Sequence, residues 1–339
     1  MKTNKTVAFS RNATNVFFHI LTRCNLKCRH CYINPDQHGT ATLPPDTVKK
    51  RLAVFAGPDN PANVIFLGGE PTLHPDLAGL VRHARVLGYA SITIDTNGYL
   101  FNDILNRVTP EEVDYFSFSL DGATAPTNDS IRGTGCYDHC IAGIRQAVAR
   151  GFNTSVIYTV STANLHELEM MVPLLEELGV HRFFIQVIGI RGKSALENPA
   201  RNPSQNLQVE SARWMRIIPG VAEKAARIGI TVTYPKVFLG KDEPFECAGL
   251  VAKNFFIFPN GRVYRCPLCE DFPLHQFEFR GDRLVERGRI NEKDLFQLSI
   301  PEGCVMNRLI QPDNLAYGPD GTPEYKIACC LLKEEVTLS

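Results

Sequence analysis

Between residues 15 and about 235 the chain alternates short apolar, β-branched runs with stretches of helical spacing. The runs predict strands at Asn15–Leu21, Asn63–Leu67, Ala90–Asp95, Tyr115–Leu120, Thr154–Val160, Arg182–Ile188 and Ile230–Tyr234. Between them, Asp76–Leu87 sets Leu77, Leu80, Val81, Ala84 and Leu87 on one helical face, with Gly88 as a stop. Leu165–Leu178 does the same with Leu165, Leu168, Val172, Leu175 and Leu178, ahead of Gly179. Repeated strand–helix units with nearly continuous apolar strands predict a parallel sheet covered by helices. Six or so units are too few for a closed eight-fold barrel. The expectation is therefore an α/β fold, a partial (β/α)6 barrel over residues 1–235.

After Pro235 the texture changes. Short strand-like pieces, Phe255–Phe258, Val263–Arg265 and Phe277–Arg280, are joined by turns such as Pro259-Asn260-Gly261 and Arg280-Gly281-Asp282. Little of this stretch could bury a core unaided, and segments of that kind owe their order to metal or disulfide staples. It predicts a small, cysteine-rich α+β domain over 236–339.

Charge narrows the partners. The 339 residues hold 36 basic and 36 acidic side chains and no long single-sign run, which argues against nucleic acid. The apolar run Val16–Leu21 is too short and too late for a signal peptide, and no stretch approaches the ~20 residues that span a bilayer. No membrane partner and a cytoplasmic location are expected. In that compartment eleven cysteines point to metal ligation or redox chemistry rather than disulfides.

Three of them, Cys24, Cys28 and Cys31, directly follow the first predicted strand, at the strand end where ligand sites form in parallel barrels. Closely spaced thiolates hold iron–sulfur clusters, and three ligands leave one iron of a [4Fe–4S] cube open. Zinc sites more often pair Cys-x-x-Cys motifs, and this loop lacks a nearby fourth ligand. The spacing, with His30 in the aromatic place before the third cysteine, resembles the radical S-adenosylmethionine (SAM) superfamily. So do Gly68-Gly69-Glu70-Pro71 after the second strand, Thr96-Asn97-Gly98 after the third, Ser119-Leu120-Asp121-Gly122 after the fourth, and Arg132 in Asp-Ser-Ile-Arg-Gly. The resemblance covers about 220 residues and implies a radical SAM barrel.

By that resemblance Cys24, Cys28 and Cys31 hold three irons, SAM chelates the fourth, and its reductive cleavage gives a 5′-deoxyadenosyl radical that abstracts hydrogen from substrate. Tyr32, Gly68, Gly69, Glu70, Asn97, Ser119, Arg132 and Gln186 are the expected cofactor contacts. Gly68 and Gly69 would let backbone approach the cofactor. Glu70 would accept from the SAM ammonium, and Arg132 would face its carboxylate.

The spacing of Cys247, Gly261 and Cys266, with Cys269 after it, resembles the opening of SPASM and twitch domains, which carry auxiliary clusters. The later cysteines depart from the full pattern. Six thiols cannot ligate two clusters completely, so one auxiliary [4Fe–4S] cluster is expected on Cys247, Cys266, Cys269 and Cys330, with Cys304 or Cys329 as the alternative fourth ligand. Structural zinc is the rival there.

Cys136 and Cys140 share a helical face with His139 nearby; packing is the expectation and a catalytic thiol at Cys136 the alternative. Tyr158, like His19, could point into the barrel, which makes it a second catalytic candidate. The substrate is a small molecule or a peptide, and the electron donor a flavodoxin or ferredoxin. The alternative is an inactive, metal-stabilised binding or regulatory protein.

Overall fold

The computed structural model describes residues 2–7, 14–57, 62–196, 207–311 and 314–338. Its strands are β1 (Lys2–Val7), β2 (Thr14–Leu21), β3 (Ala62–Gly68), β4 (Ser91–Thr96), β5 (Tyr115–Ser119), β6 (Thr154–Val160), β7 (Arg182–Val187), β8 (Thr231–Pro235), β9 (Phe238–Leu239), β10 (Lys253–Ile257), β11 (Arg262–Tyr264), β12 (Phe277–Arg280), β13 (Arg283–Glu286), β14 (Lys326–Ile327) and β15 (Leu332–Thr337). Strands β2 to β8 lie side by side in chain order and run parallel, which is the expected barrel sheet.

Each of these strands divides its side chains between two environments. Val16 and Phe18, Val64 and Phe66, Ile92 and Ile94, Phe116 and Phe118 are buried in the layer between sheet and helices. The helix Leu77–Val86 contributes Leu77, Leu80, Val81 and Ala84 to the same layer. The alternate positions, among them Asn63, Thr93, Asp95, Ser117 and Ser155, face a cavity inside the barrel. A strand has a period of two, so one sequence can serve an apolar layer and a polar interior at once.

The expected helix Leu165–Leu178 is broken. A 3-10 turn, Leu165–Glu167, is followed by a separate helix, Met171–Glu177. Pro173 is the cause: it has no N–H to give to Glu169, so it is tolerated only in the first turn of a new helix. Before it, Asn164 accepts from the Ser161 amide at 2.7 Å through its side chain and donates to the Asp121 and Thr159 carbonyls, holding the chain in a loop.

Residues after Pro235 do not stand apart. Strand β10 adds parallel to β2 and is followed by the antiparallel β11, β12 and β13, while β15 adds antiparallel to β8 and carries β1 on its other side. The result is one sheet of 13 strands, with β9 and β14 paired separately. A second apolar cluster, containing Phe256, Phe258, Tyr264, Leu268, Met306 and Ile310, packs beside the first. Cys330, Leu331 and Lys333 thereby form part of the cavity wall.

Two contacts tie the chain near the barrel mouth. Ideal Cβ atoms on Gly68 and Gly69 would lie 2.1 Å from the Leu21 carbonyl oxygen and 2.2 Å from the Arg23 carbonyl oxygen. The glycines thus let the end of β3 lie against the backbone leaving β2, and the amides of Gly69 and Glu70 donate to those two carbonyls at 3.0 Å. In the second contact, the buried His38 stacks on Phe258 at 3.9 Å, accepts from the Asn34 amide at Nδ1 and meets the Glu270 carbonyl through Nε2. Burial holds His38 down at about 4.

Gly69→Ala should lower stability by about 3 kcal/mol, as for overpacking against backbone, read from the urea midpoint. His38 stays neutral in the fold below the pH at which the unfolded chain takes up its proton. Stability should therefore fall as pH drops from about 6.5 to 4, by an amount on the order of 3 kcal/mol. His38→Gln should flatten that window in thermal unfolding; an unchanged slope would contradict the assignment.

Candidate functional site

The loop that leaves β2 at Leu21 carries Cys24, Cys28 and Cys31 over the barrel mouth, at the carboxyl ends of the parallel strands. None of the three is in a disulfide; Cys24 is exposed and the others are half-buried. The loop has no regular structure of its own, so neighbours hold it. Arg29 donates from its amide to the Ile131 carbonyl at 2.9 Å, and the Cys28 thiol points at the Arg132 carbonyl at 3.8 Å. Lys193 donates from its amide to the Cys31 carbonyl at 2.9 Å. Asn97 reaches back from the end of β4, donating to Asn25 Oδ1 at 2.8 Å and lying 3.8 Å from Cys24 Sγ. The Leu26 amide donates to Cys24 Sγ at 3.3 Å, a contact that stabilises negative charge on sulfur.

Glu70 is buried below this loop. Oε1 accepts from the Thr72 amide, the Thr72 hydroxyl and the Thr96 hydroxyl, and Oε2 accepts from the Asn97 amide at 2.8 Å. Burial pushes its carboxyl up against the pull of these donors. Its first task in the fold is to lock the ends of β3 and β4 together. Likewise Gly68 and Gly69 make room for protein backbone, where the sequence suggested room for a cofactor.

Arg132, at the end of the helix Ala125–Arg132, is paired rather than free. Its Nη2 lies 2.7 Å from Oδ2 of the fully buried Asp121, and His30 Nε2 lies 3.2 Å from the same oxygen. The other polar atoms of the two side chains, Arg132 Nε and His30 Nδ1, are buried without a hydrogen-bond partner. Burial pushes Asp121 up, but Arg132 and His30 outweigh it and hold the carboxyl at about 2. The barrel mouth thus offers an arginine and a histidine with unused polar atoms, on a site whose charge is balanced by one carboxylate. A zwitterionic, hydrogen-bonding group such as the methionine part of SAM fits those unused atoms.

Below the mouth lies a cavity of about 480 Å³. Tyr32, Gln186, His19 and His30 line it. The Tyr32 hydroxyl is 2.7 Å from His19 Nε2, and the Arg191 guanidinium lies over its ring at 4.7 Å. Arg191 also reaches Glu270 at 3.2 Å, although burial outweighs that ion pair and pushes Glu270 up to about 8. Asp95 on β4 and Lys333 on β15 face the same space. Ser119 ends β5, half-buried, and its carbonyl meets the Cys140 thiol at 3.6 Å.

Tyr158 does not face the cavity. Its ring lies on the helix side of β6 and its hydroxyl donates to the Asn164 carbonyl at 2.7 Å, because it shares the parity of Val156 and Val160. Cys136 and Cys140 are buried at the start of the helix Cys136–Ala149. A Cβ on Gly98 would come within 2.6 Å of the Cys140 Cα, so this helix end abuts the loop after β4.

The six late cysteines gather into one patch. Cys266 and Cys269 share a hydrogen bond, as do Cys329 and Cys330. Cys304 is close enough to Cys329, Cys266 and Cys247 for their charges to raise it, beyond the larger effect of burial. Glu292 braces the patch, accepting from the amides of Arg265, Cys266 and Gln276. Among the described residues no three His, Cys, Asp or Glu side chains close on a single-ion site. Thiolates are the donors that iron–sulfur clusters take, each on a separate iron.

Asp95, Asp121, Arg182, Arg191, Glu270 and Lys333 were not predicted as site residues. For Asp95 and Arg182 a signal existed: polar residues at every second position of strands otherwise read as apolar throughout.

Residues 18–175 match the family model described as the Radical SAM superfamily. The chain is 32% identical over 181 residues to pre-heme d1 synthase of Dinoroseobacter shibae, covering 52% of this chain and 44% of that protein. It is 29% identical over 206 residues to Fe-coproporphyrin III synthase of Methanosarcina barkeri, covering 58% and 48%. It is 26% identical over 178 residues to a probable GTP 3′,8-cyclase of Saccharolobus solfataricus, covering 52% and 58%. The chain thus spans about half the length of the curated relatives it matches. The fold is similar to Streptococcus suis SuiB bound to S-adenosylmethionine, with a TM-score of 0.60 at 16% identity over 76% of this chain and 61% of that one. It is also similar to anSMEcpe with bound AdoMet and a peptide, with a TM-score of 0.59 at 13% identity over 90% and 84%. Residues 18–175, the Cys24–Cys31 loop included, thus carry a radical SAM superfamily match, and the rest of the chain lies outside it.

Proposed function

We propose that this protein is a SAM-cleaving radical enzyme acting on a small molecule held in the barrel cavity. The observation that carries the reading is the placement of Cys24, Cys28 and Cys31 on one loop, pinned from several sides, over a cavity whose largely apolar wall is set with a few polar and charged side chains. Cluster and SAM, when bound, supply an electron and a 5′-deoxyadenosyl radical able to take hydrogen from an unreactive C–H bond. The protein's own part is binding and orientation. Cys24, Cys28 and Cys31 are the cluster ligands. Asn97 and the Leu26 amide set the Cys24 sulfur. Arg132 and His30 turn their unused atoms to the methionine part of SAM, with Asp121 pairing the Arg132 charge and meeting His30. Tyr32, Ser119 and Gln186 are the further contacts, and Gly68, Gly69 and Glu70 support the loop that makes them. An auxiliary [4Fe–4S] cluster sits on the late cysteines, with Cys247, Cys266, Cys269 and Cys330 as ligands and Cys304 or Cys329 as the alternative fourth. It passes electrons or binds substrate, and a flavodoxin or ferredoxin is the external donor.

A peptide substrate is the second reading, favoured by the likeness of fold to SuiB bound to its precursor peptide SuiA, with a TM-score of 0.61. The cavity volume, within the range for small-molecule sites, favours the first.

Anaerobically reconstituted protein should bind about eight irons per chain, four in each of two clusters, and form 5′-deoxyadenosine from SAM with a strong reductant. The triple alanine variant of Cys24, Cys28 and Cys31 should lose about half the iron and all product. A loaded parent that never cleaves SAM would leave an iron–sulfur binding protein instead.

Asp121→Asn leaves the buried Arg132 guanidinium without its carboxylate, so it should cost about 3–5 kcal/mol in stability. It should also weaken SAM binding measured by equilibrium dialysis, whereas Asp121→Glu should recover part of both.

A further inference from the structure

The cavity holds charge for which SAM cleavage has no use. Its walls carry three cations, Arg182, Arg191 and Lys333, against two carboxylates, Asp95 and Glu270. Arg191 and Glu270 face each other at 3.2 Å. Asp95 bonds Ser117, and its burial holds the carboxyl up at about 7, short of a full negative charge near neutral pH. The balance of the cavity is therefore positive.

Arg182 is the cation left over. It begins β7, opposite Ser155 of β6, and its guanidinium lies 4.9 Å from the centre of the Tyr115 ring. Stacking on an aromatic face fixes the plane of the guanidinium and leaves its N–H edges directed away from the ring. Among the described residues those edges make no ion pair and no hydrogen bond. Five donors in a rigid fork, half-buried and without an acceptor, suit a planar or tetrahedral oxyanion.

Its position is equally informative. Strand β7 runs from Arg182 up to Val187, and the segment after it reaches the cluster loop through the bond from Lys193 to Cys31. Five strand steps separate the two ends of β7, about 16 Å. The wall between them is largely apolar, with Phe184, Ile157, Ile65 and Phe256. Lys333 stands beside Phe184, its ammonium 5.8 Å from the ring, on the way to Arg182.

We propose that Arg182 anchors an anionic arm, a carboxylate or a phosphate, of a substrate whose apolar body fills the cavity and whose reacting carbon lies at the cluster-loop end. This rests on reading the cavity as the substrate site. It selects substrates with an acidic group about a barrel's depth from the C–H bond that is attacked, and rejects neutral ones of the same shape.

The test is fluorine NMR titration of the anaerobically reconstituted full chain with three probes: para-trifluoromethylbenzoate, para-trifluoromethylphenyl phosphate and the neutral para-trifluoromethylbenzamide. At least one anion should bind about tenfold or more tightly than the amide, as a charge-assisted contact to arginine requires. Preference for the benzoate assigns a carboxylate arm, and preference for the phenyl phosphate a phosphate arm. Arg182→Gln should erase the preference and Arg182→Lys should keep part of it. In the parent protein, modification of Arg182 by phenylglyoxal, mapped by mass spectrometry, should be slowed by the preferred anion. That measurement decides the matter even where Arg182→Gln does not fold. An amide that binds as tightly as both anions, a preference that survives Arg182→Gln, or an unprotected Arg182 would overturn the anchor. A protein that shows the preference but forms no 5′-deoxyadenosine keeps the anchor and loses the radical chemistry.

Discussion

Everything in this molecule hangs on the parity of seven neighbouring parallel strands. Even positions of β2, β3, β4, β5 and β6, such as Phe18, Phe66, Ile94, Phe118 and Val156, are packed against helices and supply the stabilising apolar burial. Positions between them look inward, where stability demands less and chemistry can be written. Tyr158 is excluded from the interior by this parity alone, and Asp95, Ser117 and Arg182 are admitted by it. A one-residue slip in any strand would exchange the two sets, so the apolar layer enforces the register that lines the cavity.

The mouth of the barrel shows a second constraint, which is closeness of backbone to backbone. Gly68 and Gly69 admit the chain leaving β2, Glu70 ties β3 to β4, and Asn97 crosses to the loop. A loop of cysteines has little to order it internally. Here the order is borrowed from strand ends whose own positions the core has already fixed. The buried carboxylate of Asp121 plays a similar part on the other side, where it makes the buried Arg132 guanidinium tolerable and also meets His30.

Much of this could be read from the sequence. The seven barrel strands fall within a residue or two of their expected ends, because β-branched runs bounded by turn residues are a strong local signal. The cysteine loop and the Gly-Gly-Glu element were legible from residue type and spacing. The helix expected over 165–178 was not, since its apolar periodicity masked the effect of Pro173. The partnership of Arg132 with Asp121 was hidden as well: both residues were visible, but their pairing depends on how a helix end folds over the strand ends. The late segment was the least legible. Its cysteines announced themselves, yet its strands are placed by pairing with β2 and β8, which no local pattern records.

That pairing has a consequence for the order of events in folding. Tyr234 on β8 meets Glu334 on β15 across a sequence separation of 100 residues, whereas β2 to β7 are joined by much shorter spans. Contacts so distant in sequence form late, after closure of a long loop has been paid for. The same holds more strongly for β10, which joins β2 across 239 residues, so both outer walls close after the parallel strands between them. Until then the interior stands open at both edges of the parallel strands, and the polar positions that will line the cavity remain in water.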